Sequence, residues 1–336
     1  MDFELSDDQR ALQEAAADLL GSLATTEKVR ASAAKDEAYD AALWAAMVEQ
    51  GWTGIELPED QGGLGFGMVE AAVLAEQVGA HVAPAPFIEN LLAAGALAAA
   101  KQEAWVERLV NGDAVACVAW RPEIPVAYAP VADVAVVIDS DKQEVLLVEL
   151  DKGPAIDREP AMDLTRPLGW LRLDGREKQT TTIGAAAEAT ALLDRGAALY
   201  AAALLGGAAR VLDMSAEYAK ERVQFGKPIG SFQAVKHRCA DMLVDVEGMR
   251  STAYWSAWCL SAADEEASLA ASTAKTWCSD AARRVMGSGL QVHGGIGFTW
   301  EHDLHLFLKR SQLDQLAFGD AAYHRDRLGA LLREKL

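Results

Sequence analysis

Basic residues are scarce in this chain: 31 lysines and arginines stand against 50 aspartates and glutamates, a net charge of −19. A surface of that sign repels nucleic-acid phosphates and anionic lipid heads, which argues against a general nucleic-acid or membrane binder. It leaves room for a small anionic ligand, which needs only a local cluster of donors. Cysteine is rarer still. The four thiols, Cys117, Cys239, Cys259 and Cys278, include no CxxC pair and read as buried thiols of a reducing, cytoplasmic compartment. The opening MDFELSDDQR lacks the apolar core of a signal peptide, and no apolar run reaches bilayer width without a charge inside it. What fills the chain instead is alanine and leucine: hydrophobic residues are 51% of the total, aromatics only 7%, and the bias favours helix.

Ser6 and Gln9 are spaced as a capping box, and Leu12, Ala16, Leu19 and Leu20 follow at helical intervals. A helix is expected over Asp40–Glu49, stopped by Gly51. ELPEDQGGLGFG (56–67) then reads as loop, and helical pattern returns over 68–79 and 88–110 around an APAP break at 83–86. From Asp113 the texture changes. VACVAW (115–120), VAVVID (134–139), EVLLVEL (144–150) and GWLRLD (169–174) are short β-branched or aromatic runs, with DSDK as a hairpin connection between the middle two. Beyond Gly184 the spacing predicts helices over about 186–222, after Ser231, over about 265–289 and over about 311–333, lengths that suit an up-and-down four-helix bundle. The expectation is a mostly α protein with a small central β domain: an N-terminal helical domain (1–112), a reduced β domain (113–183) and a C-terminal helical bundle (184–336).

Two stretches carry candidate chemistry. In RVQFGKPIGSFQAVKHRCADM (222–242) a helix ends near Gln224, FGKPIG turns, and Ser231 starts the next helix. Arg222 and Gln224 then stand at a helix end beside a helix start, a place for donors facing an anion, though the pattern alone favours a solvated connection between helices. In QVHGGIGFTWEHDLH (291–305), Gly294, Gly295 and Gly297 follow a predicted helix and let backbone approach a ligand; no strand precedes them, so this is no Rossmann fingerprint. His302 and His305 could share a helix face, but an HxxH pair without a third ligand points to no metal site.

Together the two stretches resemble the C-terminal domain of the acyl-CoA dehydrogenase family, and the helical–β–helical order agrees over the whole chain. The resemblance implies FAD as cofactor and an acyl-CoA thioester as substrate. It implies a flavin whose ring sits on one subunit's β domain while a neighbour's C-terminal helices hold its adenine and pyrophosphate end. Carried over, Arg222 contacts the pyrophosphate, Gln224 and Phe225 line the same region, Ile229 and Phe232 pack at the adenine end, and Gln291, Gly294 and Gly295 form the second contact.

The chain departs from the family at two points. The reaction removes a proton from the acyl α carbon while hydride passes from the β carbon to the flavin, and a carboxylate must stand within reach. Counted from Gln291, the family's usual place for that glutamate falls on Phe318; counted back from Phe225, its other place falls near Gly196 and Ala197. Neither holds a carboxylate, so no catalytic base is assigned; Asp194 and Asp320 lie nearby but off register. The flavin seat of the β domain is also not visible: AWRPEIPVAYAPVADV (119–134) stands where a threonine-rich run is usual, and Trp170 reads as a core residue rather than a stacking one. This pattern resembles the short subunits of heterotetrameric (α₂β₂) acyl-CoA dehydrogenases of actinobacterial steroid catabolism, in which a longer homologous subunit supplies the flavin seat and the base. The resemblance thus implies an enzyme active as a complex, α,β-dehydrogenating a bulky acyl-CoA. Two alternatives stay open: a self-sufficient homo-oligomer using Asp320 or Asp194, and a helical scaffold without cofactor chemistry.

Overall fold

The computed structural model describes residues 4–35 and 37–334, so the first three residues of MDFELSDDQR lie outside the described residues. The described helices are α1 (Asp7–Leu23), α2 (Thr26–Ala34), α3 (Ala41–Glu49), α4 (Met68–Ala80), α5 (Phe87–Ala99), α6 (Glu103–Val110), α7 (Ala186–Glu221), α8 (Gln233–Ser261), α9 (Ala267–His293), α10 (Leu304–Asp314) and α11 (Ala321–Glu334). α1 starts at a reciprocal cap: the Ser6 amide donates to Gln9 Oε1 at 2.9 Å and the Gln9 amide to Ser6 Oγ at 3.2 Å. Asp40 caps α3 by accepting from the amides of Ala42 and Leu43, both at 3.0 Å. Among the described residues α7 is the one helix long and apolar enough to cross a membrane, yet 67% of its most apolar window is buried inside the molecule. It is a core helix.

Contacts group the chain into two compact units that alternate along the sequence: Met1–Gly21, Ala72–Ala83 and Ala197–Leu336 form one, Ser22–Ala71 and Pro84–Gly196 the other. The second unit holds the strands β1 (Ala116–Ala119), β2 (Val126–Ala127), β3 (Val134–Asp139), β4 (Glu144–Glu149), β5 (Arg158–Glu159), β6 (Leu168–Gly169) and β7 (Thr180–Gly184). One sheet runs β1-β3-β4-β7 with β1 parallel to β3 and the remaining pairs antiparallel; a smaller one runs β2-β6-β5. Their apolar faces share a core that includes Cys117, Val137, Leu146, Val148 and Leu171. Buried polar side chains fix this sheet to helix: Asn90 of α5 accepts from the Ala116 amide at 2.6 Å, and the Tyr128 hydroxyl donates to the Ala85 carbonyl at 2.9 Å.

Three local expectations differ from the structure. GWLRLD contributes only Gly169, the second residue of β6, and the last strand of the larger sheet is instead TTTIG, whose threonines are largely exposed and so carry no apolar alternation. Trp170 is 43% exposed and donates its indole N–H to Glu159 at 2.9 Å, so it is not a core residue. The final helix is two helices, because Phe318 (φ 52°) and Gly319 (φ 96°) take left-handed backbone between α10 and α11.

In the first unit α9 is the axis of the C-terminal helical bundle: α7, α8, α10 and α11 all pack on it. Glycine permits the tightest crossing. A Cβ on Gly79 would run into the Ala203 backbone, and one on Gly206 into the Glu76 carbonyl, so α4 and α7 meet backbone to backbone. Beside this crossing Glu76, 4% exposed, accepts from Arg250 Nη1 at 2.8 Å and from the Tyr254 hydroxyl at 2.5 Å. Burial, reinforced by the Glu76 charge, pushes the Tyr254 phenol far above its ordinary range, so it remains a donor.

Candidate functional site

The end of α7 builds the first part of the site. Arg222 continues the helical bonding, its amide donating to the Tyr218 carbonyl at 2.9 Å; the chain then doubles back through β8 (Val223–Gln224) and β9 (Lys227–Pro228). A two-residue hairpin needs left-handed backbone at its tip. Gly226 (φ 76°) supplies it without cost, but Phe225 (φ 53°) supplies it with a side chain, and its ring is 91% exposed. A strained, solvated aromatic is expensive in an isolated chain and points to a contact outside it. Phe225 meets Phe232 edge-on at 6.0 Å, Lys227 lies 4.5 Å over the Phe232 ring, and the Ile229 amide donates to the Arg222 carbonyl at 2.8 Å. The Gln224 side-chain amide donates to the Val223 carbonyl at 2.8 Å. Among the described residues the exposed Arg222 guanidinium has no salt bridge or side-chain hydrogen bond, in a chain rich in carboxylates.

The second stretch lies at the same end of the bundle. α9 ends at His293, whose ring stacks on Tyr218, one helical turn before Arg222, at 4.6 Å. His302 closes the cluster at 4.6 Å from His293, while His305 packs on Trp300 at 4.7 Å. His302 and His305 therefore serve different neighbours. His293 donates from Nδ1 to the Gly289 carbonyl at 2.8 Å, and burial above all holds its pKa below the ordinary imidazole value. Beyond it, Gly294 (φ 63°) and Gly295 face open space: a Cβ on either would meet nothing within 4 Å. Gln291 and Gly295 are exposed and Gly294 half-buried. The structure thus brings both predicted stretches together through Tyr218 and His293, which sequence reasoning passed over because a stacked pair leaves no spacing signal.

The third part is the turn between α10 and α11. Phe318 is 2% exposed and stacks on Tyr200 of α7, also 2% exposed, at 5.7 Å. The Asp320 carboxylate accepts from the Tyr323 amide at 2.8 Å, which makes it the cap of α11. Asp194, on α7, is 3% exposed and lies in the other compact unit.

Family models described as "Acyl-CoA dehydrogenase, C-terminal domain" and "Acyl-CoA dehydrogenase, N-terminal domain" match residues 184–332 and 6–113. Acyl-CoA dehydrogenase IpdE2 of Mycolicibacterium smegmatis is 36% identical over 308 residues, 91% of this chain and 93% of its own. The chain belongs to the acyl-CoA dehydrogenase family. Among solved structures of this family, one chain of the ChsE4–ChsE5 complex from Mycobacterium tuberculosis is 30% identical, covers 99% of both chains and superposes with a TM-score of 0.87. A chain of the Tcur3481–Tcur3483 steroid acyl-CoA dehydrogenase is 28% identical over 98% of both, with a TM-score of 0.86.

An acyl-CoA dehydrogenase's dinucleotide asks for an anion donor, an aromatic or apolar wall and bare backbone. The hairpin and glycine turn offer all three: an unneutralised guanidinium, the Phe225–Phe232 pair and two glycines without facing neighbours. The residue set fits the nucleotide end of FAD.

Proposed function

We propose that this chain is the base-lacking subunit of an FAD-dependent acyl-CoA dehydrogenase that acts, in an α₂β₂ assembly with a longer homologous subunit, on a bulky acyl-CoA of the steroid-derived kind. The observation that carries the reading is Phe318: a buried, stacked ring stands at the turn where the family comparison calls for a proton acceptor. When bound, the flavin supplies the acceptor for the hydride leaving the acyl β carbon. This chain's share is positional: Arg222 grips the pyrophosphate, Gln224 and Phe225 line it, Ile229 and Phe232 flank the adenine, and Gln291, Gly294 and Gly295 approach it with amide and backbone. Similarity to one chain each of the ChsE4–ChsE5 complex and of the Tcur3481–Tcur3483 steroid enzyme supports both the mixed assembly and the acyl class. Division into segments 1–112, 113–183 and 184–336 and a cytoplasmic location belong to the same proposal, the latter on the scattered thiols.

Two experiments test it. Expressed alone, the chain is expected to carry little flavin; co-expressed with the longer subunit it should yield one FAD per pair of unlike chains, read from the flavin-to-protein absorbance ratio. Full flavin loading and turnover by the lone chain defeats the proposal. Asp320→Asn is the second test: a cap substitution of this kind should cost at most about 1 kcal/mol of stability and leave turnover of the complex unchanged. Loss of turnover with an intact flavin spectrum instead makes Asp320 the base and defeats the base-lacking reading.

A further inference from the structure

Two buried bases grip the turn at 315–319, and neither has a part in the reaction proposed above. Lys275 of α9, with no exposed surface, donates to the carbonyls of Gln315 and Gly319 at 2.8 and 2.7 Å. His324 of α11, equally buried, donates from Nε2 to the Phe318 carbonyl at 2.8 Å, since a carbonyl can only accept. Its Nδ1 is then a bare acceptor, buried without a hydrogen-bond partner. Lys275 also donates to the Ser279 hydroxyl oxygen at 3.3 Å, so all three of its bonds go to uncharged oxygens, and among the described residues no carboxylate pairs with this fully buried amine.

We propose that opening of the 315–319 turn is coupled to proton uptake by Lys275 and His324, so that acid loosens the seat filled by Phe318 and alkali tightens it. That this turn is a vacated seat rests on the proposed function; the proton coupling rests on the burial and bonding of the two bases, with the desolvation that burial imposes.

The sign follows from the two ionisations. Burial pushes Lys275 down to about 7 and His324 down to about 3, from ordinary values of 10.5 and 6.5. Asp314 from α10 and Asp320 from the head of α11 favour a charge on Lys275, as does the neighbouring Cys278; Lys275 itself and Arg327 of α11 oppose one on His324, against Asp320. Desolvation outweighs the favourable contacts at both sites. An opened turn returns both groups to water. Opening therefore takes up a proton at Lys275 between pH 7 and 10.5, and at His324 between pH 3 and 6.5. Within each window the opening constant rises about tenfold per unit fall in pH.

Hydrogen exchange on the full chain, corrected for intrinsic rates, reads the opening constant of the 314–320 peptide directly. From pH 7 to pH 9.5 its protection is expected to rise about a hundredfold, while the α8–α9 connection changes little. Lys275→Met should abolish that rise, and His324→Gln should abolish the separate loss of protection below pH 6. A flat profile in the wild-type chain overturns the proposal, as does an unchanged slope in Lys275→Met; should that variant fail to fold, the wild-type profile decides alone. No flavin, thioester or turnover enters the measurement, so its outcome is independent of the functional reading.

Discussion

Arg222→Ala should lower the flavin affinity of the assembled complex about ten- to a hundredfold. A charge-assisted bond to phosphate contributes about 1.5–3 kcal/mol, and each 1.4 kcal/mol is a factor of about ten in affinity. Arg222 has an unusual freedom to make such bonds, since no carboxylate among the described residues claims it. Its backbone is fixed on both sides, by Tyr218 and by Ile229, so a truncation removes the guanidinium without moving the hairpin. Arg222→Lys keeps the charge but loses the planar fork and should fall between the two. The check is flavin retained after dilution and gel filtration of the complex, with thermal unfolding as control. Unaltered retention in Arg222→Ala means that the chain holds no nucleotide and is a helical scaffold.

Glu76→Ala should destabilise the chain by about 2–4 kcal/mol, measured by urea unfolding. The carboxylate is buried and answers two donors, one of them the Tyr254 hydroxyl, itself held protonated. The Arg250 side chain is 38% exposed, so water can take over that half of the interaction, which keeps the figure below that of a fully enclosed pair. Glu76→Gln preserves an acceptor for Tyr254 and should lose only about 1–2 kcal/mol. The two values should be well separated. Equal, small losses from both substitutions would mean that the α4–α8 junction owes its stability to packing around the Gly79 and Gly206 crossing rather than to this ionic pair.

Much of the architecture was readable from local rules. The Ser6–Gln9 box, the Asp40 cap, the β3–β4 hairpin over DSDK and the long helices of the bundle depend on neighbours within a few residues, so their signals survive in a linear string. β7 escaped because an exposed edge strand has no apolar period, and Trp170 was misplaced because burial of a single tryptophan is decided by strands it does not neighbour in sequence. The break before α11 has a different origin. Phe318 in left-handed backbone is locally unfavourable, and what offsets it is the grip of Lys275, forty residues upstream of Gln315, together with stacking on Tyr200.

The amino-acid sequence by itself determined the helical–β–helical order, the acidic character and the residue types at the two motif stretches, since composition and short-range spacing suffice for these. Only the tertiary structure decided that both stretches meet through Tyr218 and His293, that Arg222 stays unneutralised, and that the 315–319 turn closes over two buried bases. Those outcomes depend on which side chains the helix packing brings within a few ångströms and shuts off from water. Distance and desolvation arise only once the chain has folded.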